Sequence, residues 1–304
     1  MVYLLFALIL IIIVVMIFSY NSKKKQKIFK EQLVEQWGKA KKDFFDFDKI
    51  GMYAELKKDN NFHQLSSQTK TDIDFNDVFC LIDRTTSKVG QQFLYAILSN
   101  PTNDKAALLK LNEQIIFFTD NEALNIDVQL QLLKLNNDDA YFLPSLLTAD
   151  IITKPHWYKY VFISLITIPL IAIVSVLYPM LLFWILVPLT LNMFIHYRNK
   201  NYTKRFNKLF QQLDTLINCS KILNTKQLPI DNNLVESSAG KLKNFQRKIK
   251  LLGIDGGSIK DELTQASLYL YEILKAFFLI EFFAFYSVLK DIDNKQDAIL
   301  YLFK

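Results

Sequence analysis

The chain has 304 residues, 51% hydrophobic and 22% charged, enough for one large domain or two smaller ones. With only 7 glycines and 7 prolines, it is poorly suited to a turn-rich β-sandwich or barrel, and long helices are favoured. Cys80 and Cys219 lack a CxxC spacing, and His63, His156 and His196 lack a metal-ligand spacing, so the sequence does not favour a disulfide framework or a zinc site. The net charge of +6 comes from basic residues clustered beside apolar segments.

Residues 1–20 are predicted to be an N-terminal transmembrane anchor. Residues 2–19 are 18 residues without a charge, long enough to cross a hydrocarbon core of ~30 Å. No basic residue precedes this stretch and several lysines follow it, which favours an uncleaved anchor over a secretory signal peptide. The positive-inside rule then places the N-terminus outside the inner membrane and residue 21 onward in the cytoplasm.

Residues 21–70 are predicted to be a basic juxtamembrane segment with a helix. Phe29, Leu33 and Trp37 recur on one face of this helix, and lysines occupy the other. The lysine face is interpreted either as a surface for anionic lipid headgroups or DNA phosphates, or as a solvated face that only obeys the positive-inside rule. The candidate phosphate or lipid contacts in this segment are Lys23, Lys24, Lys25 and Lys27.

Residues 71–156 are predicted to form the first part of a helical core, with a short strand near residues 72–82. A helix from Val89 is stopped by Asn100-Pro101. Its apolar positions recur at helical spacing and are Val89, Phe93, Leu94, Ile97 and Leu98. Residues 104–136 are also predicted to be helical, with an apolar face formed by Leu108, Leu111, Ile115 and Phe118.

The residues before the helix at Val89 are typical of a helix N-terminus. Positions 85–87 supply three hydroxyl groups where free N–H groups need acceptors. Asp83 and Arg84 are expected to clamp the preceding loop through charge-assisted hydrogen bonds. A glycine costs a helix about 1 kcal/mol relative to alanine, so we expect Gly90 to mark a close approach by another backbone. The pattern indicates a rigid, tightly packed helix rather than a catalytic site.

Residues 157–197 are predicted to form a transmembrane hairpin. The block has no charge between Lys159 and Arg198, and Tyr178-Pro179 divides it into two halves of about 18 residues. Aromatic residues that favour the membrane interface stand at its ends, namely Trp157, Tyr158, Tyr160 and Tyr197. Basic residues follow the block, place both ends in the cytoplasm and are further candidate phosphate or lipid contacts: Arg198, Lys200, Lys204 and Arg205. The alternative is a pair of buried helices in a soluble bundle.

Residues 198–304 are predicted to be the second part of the helical core. Apolar residues recur at helical spacing over 204–223, whereas the composition of 224–240 and 253–258 predicts loops. Glu272, Lys275 and Glu281 interrupt an apolar run at 264–289, and a charge at mid-bilayer is costly. We therefore predict a long, mostly buried core helix there, with a further transmembrane span as the alternative.

The stretch "LIDRTTSKVGQQFLYAILSNP" at 81–101 resembles the start of the core, or lever, domain of the MutS family of DNA mismatch repair proteins. That family shows Leu-x-Asp-Arg-Thr-x-Thr-x-x-Gly and then a leucine-rich helix that ends near a proline. The matching residues, with Ser87 at the second hydroxyl position, are Asp83, Arg84, Thr85, Ser87, Gly90, Leu94, Leu98 and Pro101. "DKAALLKLNEQIIFF" is similar to the family's next helix, with Asn112 where an arginine is common. "EQWGK" at 35–39 resembles a membrane-linked MutS-like branch whose core is interrupted by a transmembrane hairpin.

The resemblance implies a mostly helical core that couples a DNA-encircling clamp to a C-terminal ATPase. An anchor stands where the mismatch-reading domain is expected, and the hairpin occupies the place of lever and clamp helices. The sequence has no Gly-x-x-x-x-Gly-Lys-[Ser/Thr], because Gly38-Lys39 and Gly240-Lys241 lack the first glycine. We therefore expect the chain to stop before the ATPase and to have no enzyme activity, cofactor or metal of its own. ATP and Mg²⁺ are implied only for a full-length family member.

The predicted fold is mainly α: a MutS-core-like lever domain interrupted by a transmembrane hairpin, plus the N-terminal transmembrane helix. One predicted function is a membrane-anchored mismatch repair protein of the MutS type, with duplex DNA, a second copy and an ATPase domain in cis or in trans as expected partners. The alternative is a membrane adaptor or scaffold that binds protein or anionic lipid and has no nucleic-acid role. Intramembrane catalysis or transport is not favoured, because the hairpin has no Asp, Glu, His, Lys or Arg between Tyr160 and Ile195.

Overall fold

The computed structural model describes residues 20–21, 24, 26–41, 43–56, 63–148, 156, 158–226, 228–252 and 262–303. Over these residues the protein is mainly helical and has no strand. It divides into two compact units. The first comprises the chain up to Asn137 together with Lys226–Ile230, and the second comprises Asp138–Thr225 together with Asp231–Lys304. The predicted anchor at 1–20 lies outside the described residues except for its last position.

The first unit is built from helices that we number α1 to α7. They are α1 over 26–36, α2 (Phe47–Leu56), α3 (Ser67–Asp72), α4 (Phe75–Ile82), α5 (Lys88–Ser99), α6 (Lys105–Asp120) and α7 (Glu122–Leu132). A 3-10 helix at Leu133–Leu135 follows α7. The helices predicted from Val89 and over 104–136 are confirmed.

An apolar core with several aromatic rings joins α2, α4 and α5. Ile50, Tyr53 and Ala54 are buried at helical spacing on α2, which packs along α5. Phe79 of α4 and Tyr95 of α5 meet edge to face, with ring centroids 5.2 Å apart. Burying one large apolar side chain contributes about 1.5–3 kcal/mol, so this cluster fixes α5 firmly. The loop before α5, which carries most of the polar residues of the family-like motif, therefore starts from a rigid support.

The second unit begins with a 3-10 helix at Asp138–Phe142 and a short α8 (Ser145–Thr148). Its remaining elements are α9 (Tyr158–Ser175), a 3-10 helix at Pro179–Ile185, α10 (Leu186–Asn224), α11 (Asn232–Lys241), α12 (Lys243–Leu252), α13 (Glu262–Phe277), α14 (Ile280–Asp293) and α15 (Gln296–Phe303).

Two helical segments of the second unit are long and apolar enough to cross a membrane, Tyr158–Ser175 and Pro179–Lys200. Only 11% of the first apolar window and 17% of the second is buried, whereas the helices of a soluble core bury much of their apolar surface. The chain turns between them at Tyr178-Pro179, where the sequence predicts the tip of the hairpin.

The helix α10 is continuous over 39 residues, so it joins the second apolar segment directly to a packed core. Phe210, Leu213 and Ile217 are fully buried on its later half, where α10 packs against α12 and α14. Those helices contribute the fully buried rings of Phe245 and Phe285. The predicted helix over 204–223 is confirmed as part of this longer helix.

The predicted strand near residues 72–82 is wrong, because most of that stretch belongs to α3 and α4. Phe75 and Phe79 are buried one helical turn apart on α4, while Val78, Leu81 and Ile82 are exposed. The closely spaced apolar residues, which resemble a strand in the sequence, lie on different faces of one helix.

The predicted loop at 224–240 is also partly wrong, since α11 begins within it at Asn232. The side chain of Asp231 accepts a hydrogen bond from Leu234 N at 3.2 Å and caps this helix. The predicted loop at 253–258 lies outside the described residues.

Two helices with a sharp turn replace the single core helix predicted at 264–289. Leu279, between α13 and α14, is fully buried and has a φ of 50°, in the left-handed region that non-glycine residues rarely adopt. The core prediction is confirmed for α14, on which Phe282, Phe285 and Val288 are buried. The core prediction is wrong for the second half of α13, which exposes several apolar side chains.

Candidate functional site

The fully buried carboxylate of Asp83 organises the loop that precedes α5. Its Oδ1 accepts hydrogen bonds from the main-chain N and the Oγ1 of Thr85, at 2.8 and 2.6 Å. Its Oδ2 accepts from Gln91 Nε2 at 2.6 Å and from Lys41 Nζ at 3.0 Å. Each oxygen therefore has two donors, which is the environment that a buried charge needs. The predicted charge-assisted clamp is confirmed for Asp83.

The pKa values of both charged partners lie below their usual ranges. Burial on its own raises the pKa of Asp83, but the hydrogen bonds from Thr85 and the charge of Lys41 outweigh burial and lower it. Burial lowers the pKa of the Lys41 ammonium, and the charge of Asp83 offsets only part of that effect. Asp83 is therefore ionised at neutral pH and acts as a hydrogen-bond acceptor rather than as a general acid.

The other polar motif residues also have structural contacts. Arg84 is exposed and donates from Nη1 to the main-chain oxygen of Asp83 at 2.9 Å. Ser87 is the N-cap of α5, because its Oγ accepts from Gly90 N at 3.0 Å. The hydroxyl cap predicted at 85–87 is thus provided by Ser87, while Thr85 binds Asp83.

The buried face of α5 differs from the predicted apolar stripe. Four stripe residues are only half-buried, namely Phe93, Leu94, Ile97 and Leu98. The buried residues are Val89, Gln91, Gln92, Tyr95, Ala96 and Ser99. Gln91 and Gln92 are inside because they donate to Asp83 and to the main-chain oxygen of Lys49, at 2.6 and 2.7 Å. Pro101 is exposed just beyond the end of the helix, as its predicted role as a stop requires.

Gly90 leaves room for the cap of its own helix. A Cβ at this position would lie 2.9 Å from Ser87 Oγ and 3.6 Å from Thr85 Cβ. The predicted close approach at Gly90 is therefore confirmed, but its predicted partner is wrong. The neighbouring atoms belong to the side chains of Ser87 and Thr85 and not to another backbone.

Replacing Gly90 with alanine is expected to bring no stabilisation, because the added methyl group displaces the hydroxyl that caps α5. Alanine gains up to about 1 kcal/mol over glycine in a helix, and loss of an N-cap costs about 1 kcal/mol. In a Ser87→Ala background the cap is already absent, so Gly90→Ala should then stabilise the helix. Hydrogen–deuterium exchange of the α5 amides measures both effects. Equal responses to Gly90→Ala in the two backgrounds would contradict this account.

A cavity of about 820 Å³ lies beside the Asp83 loop within the first unit. The end of α1 with the following loop, the residues at 84–88 with Gln91, and part of α7 line it. Its charged lining residues are Glu35, Lys39, Lys41, Asp43, Arg84 and Lys88, an excess of two positive charges. Gly38, with a φ of 71°, turns the chain after α1 and precedes the segment that brings Lys41 to Asp83. This excess of positive charge suits the binding of a polar or anionic group.

The candidate phosphate or lipid contacts of the first unit are solvent-accessible where the structure describes them. Lys24 and Lys27 are exposed, and Lys27 lies 3.9 Å from Glu31 in an exposed ion pair that contributes little. Lys23 and Lys25 lie outside the described residues.

The candidate contacts of the second unit lie at the end of its second apolar segment and just beyond it on α10. Arg198 and Lys204 are exposed, whereas Lys200 is half-buried, with its Nζ 3.7 Å from Glu272 Oε2. The side chain of Arg205 lies outside the description. Arg198 and Lys204 are therefore the accessible cations among the described side chains of this group.

A chain of polar contacts ties α9, α10, α13 and α14 together. Ser164 Oγ donates to Asn192 Oδ1 at 2.5 Å, and Asn192 Nδ2 donates to the main-chain oxygen of Phe277 at 2.7 Å. Further along α10, Asn207 Nδ2 donates to Glu281 Oε1 at 2.7 Å. These contacts fix α13 and α14 against the hairpin helices.

Lys41, Gln91 and Asn192 are structurally important residues that the sequence did not indicate. Lys41 stands 42 positions before Asp83, so no local spacing links the pair. Gln91 and Asn192 are neutral polar residues within helices. Asn192 is marked only by its apolar neighbours, and Gln91, between Gly90 and Gln92, has no such signal.

Together these features define a mainly helical protein with two candidate membrane spans and a carboxylate-centred loop in its first unit. Among the residues described, no group of three or more His, Cys, Asp or Glu side chains is placed to hold a metal ion. No protein-family profile, curated protein or solved structure matches the chain.

Proposed function

We propose that the chain is the membrane-anchored core portion of a MutS-like DNA mismatch repair protein. The observation that carries this proposal is that the polar residues of the family-like motif bind within the motif itself. Thr85 donates to Asp83 in the loop, and Gly90 N donates to Ser87 Oγ at the start of α5. A motif whose polar groups bind each other has a structural role, and a structural role is what the resemblance to a lever domain implies for these residues.

We place the hairpin in the inner, cytoplasmic membrane, with the segment at 1–20 as an additional anchor and the N-terminus outside. Two long apolar helices with little buried surface support a membrane location. Arg198 and Lys204 are exposed on α10, at and just beyond the end of the second apolar segment, and they fit the cytoplasmic side.

The proposed partners are duplex DNA, a second copy of the chain and an ATPase domain supplied in cis or in trans. The core portion itself is proposed to be no enzyme and to bind no cofactor or metal. Detectable ATP hydrolysis by the purified chain, absent from a mock preparation, would contradict this part of the proposal.

Duplex DNA carrying a G·T mismatch is expected to bind the full chain in nanodiscs of neutral lipid. Lysine and arginine contacts to phosphates release counterions, so the logarithm of the binding constant should fall linearly with the logarithm of salt concentration. Each phosphate contact removed should reduce the slope by about 0.9. We therefore expect a shallower slope for Lys24→Gln, Lys27→Gln, Arg198→Gln and Lys204→Gln combined, measured by fluorescence anisotropy.

The matched control neutralises three lysines and one arginine that are exposed on α11 and α12 and are not candidate contacts, namely Lys241, Lys243, Arg247 and Lys250. The control should retain the slope of the unmodified chain. Absence of binding at low salt by a folded preparation would overturn the proposed DNA-binding role, and equal slopes in all variants would overturn the assignment of these residues.

A membrane adaptor that binds a protein partner is the second candidate function, and α6 is the observation that favours it. This helix has no buried residue in the described structure, and its exposed apolar side chains are Leu108, Leu109, Leu111, Ile115 and Ile116. Contiguous exposed apolar surface often marks an interaction site. If DNA does not bind, and Leu109→Glu with Ile116→Glu abolishes copurification of one defined protein, the adaptor is the better description.

A further inference from the structure

Over residues 270–277, where its side chains are described, the helix α13 exposes large apolar residues and buries a lysine, the reverse of the pattern in a soluble protein. Its exposed apolar residues follow one helical stripe that continues into the turn: Leu270 (64% exposed), Ile273 (46%), Leu274 (48%) and Phe278 (47%). The opposite side carries Lys275, which is 1% exposed and has its Nζ 2.5 Å from Glu272 Oε1. A helix that buries its lysine and exposes its large apolar side chains is suited to apolar surroundings.

Contacts with α10 place the end of α13 alongside the apolar segment of the hairpin. Near the middle of α13, Glu272 Oε2 lies 3.7 Å from Nζ of Lys200, which is the last residue of the apolar segment. At its end, the main-chain oxygen of Phe277 accepts from Asn192. Asn192 precedes Lys200 by eight residues, about 12 Å along a helix. With Lys200 at the membrane surface, Phe277 and Phe278 lie about as deep as the boundary between headgroups and acyl chains.

The beginning of α14 packs against the other helix of the hairpin, at the first turns of α9. The ring of Tyr158, the first residue of α9, stacks on Phe282 with centroids 5.5 Å apart. The ring of Phe162, one turn further into α9, packs against the ring of Phe283, with centroids 4.5 Å apart. Both sides of the α13–α14 turn are therefore held against apolar hairpin helices, and Leu279 is buried while its neighbour Phe278 points outward.

We propose that the α13–α14 turn is a third membrane contact, in which the exposed face from Ile273 to Phe278 enters the bilayer without crossing it. This proposal rests on the proposed placement of the hairpin in a membrane. The occupant of the exposed face is lipid, because the face is continuous with hairpin surface that is itself exposed and apolar. The turn explains how charged residues and an apolar run coexist in 264–289: the charges pair inward, and the apolar side chains face acyl chains.

Spin-label depth measurements on the full chain in nanodiscs test this placement. The two native cysteines, Cys80 and Cys219, are first replaced by serine, and single cysteines are introduced at Leu274 and Phe278. A spin label among acyl chains collides often with dissolved oxygen, whereas a label in water collides often with a water-soluble nickel chelate. Ile166, exposed in the middle of α9, serves as the lipid reference, and Lys290, exposed on α14, serves as the aqueous reference.

The oxygen-to-nickel ratio at Leu274 and Phe278 is expected to exceed the ratio at Lys290 several-fold and to remain below that at Ile166. A high ratio at Ile166 with an aqueous ratio at both α13 sites would overturn the third contact and leave the membrane hairpin intact. Low collision rates with both reagents at those sites would mean that protein covers the face, and would also overturn it. An aqueous ratio at Ile166 would overturn the membrane placement itself.

Discussion

Replacing Asp83 with asparagine is expected to destabilise the first unit by about 3–5 kcal/mol, although the side chain keeps its shape. Removing one partner of a buried ion pair leaves the other charge uncompensated, and effects of this size follow. The geometry also prevents the asparagine amide from taking over the hydrogen bonds of the carboxylate. Both oxygens of Asp83 accept from two donors each, so either orientation of the amide points its NH₂ group at donors. Thermal unfolding in detergent and hydrogen exchange of the α5 amides should both report the loss.

Asp77 provides the matched control, since it is an exposed aspartate in the first turn of α4. Asp77→Asn removes the same charge without a buried partner and should cost at most about 1 kcal/mol. Adding Lys41→Met to Asp83→Asn removes the stranded ammonium and should recover part of the lost stability. If Asp83→Asn and Asp77→Asn behave alike, the buried ion pair does not stabilise the loop.

The sequence identified those elements whose signal is local. Helices α5, α6, α7 and α10 follow from apolar residues that recur three or four positions apart. The cap of α5 also follows from local pattern, because hydroxyl residues preceded an apolar helical repeat. By contrast, α4 was mistaken for a strand. Phe75 and Phe79 define its buried face, but Val78, Leu81 and Ile82 are apolar as well, so no polar face marks the helical period.

The features that sequence reasoning missed depend on long-range packing. The approach of Lys41 to Asp83 requires the turn at Gly38 and the packing of the first unit, and neither is encoded in a spacing. The break between α13 and α14 lacks a glycine or proline, since a buried leucine adopts the left-handed conformation there. Such a conformation costs roughly 1–2 kcal/mol and persists only when surrounding contacts impose it. A single sequence cannot reveal those contacts.

Replacing Glu272 with glutamine is expected to have a comparably large effect on the second unit, about 3–5 kcal/mol of lost stability. Lys275 is 1% exposed, and Glu272 is its anionic partner at 2.5 Å, so the substitution strands a buried ammonium group. Glu272 also lies 3.7 Å from Lys200, which joins α13 to α10. Thermal unfolding in detergent should show the loss as a fall in Tm of roughly 6–20 °C.

The relative stabilities of three variants show whether Glu272→Gln acts by leaving the Lys275 charge unpaired or by removing the contact with Lys200. Lys275→Met leaves Glu272 beside Lys200 and removes the buried charge, so it should cost much less than Glu272→Gln. The double variant Glu272→Gln/Lys275→Met should regain most of the stability lost by Glu272→Gln, because buried ion pairs are often replaceable by apolar side chains. Glu236→Gln, at an exposed position on α11, is the control and should be near neutral. A double variant as unstable as Glu272→Gln would show that the carboxylate acts through Lys200 and not by compensating Lys275.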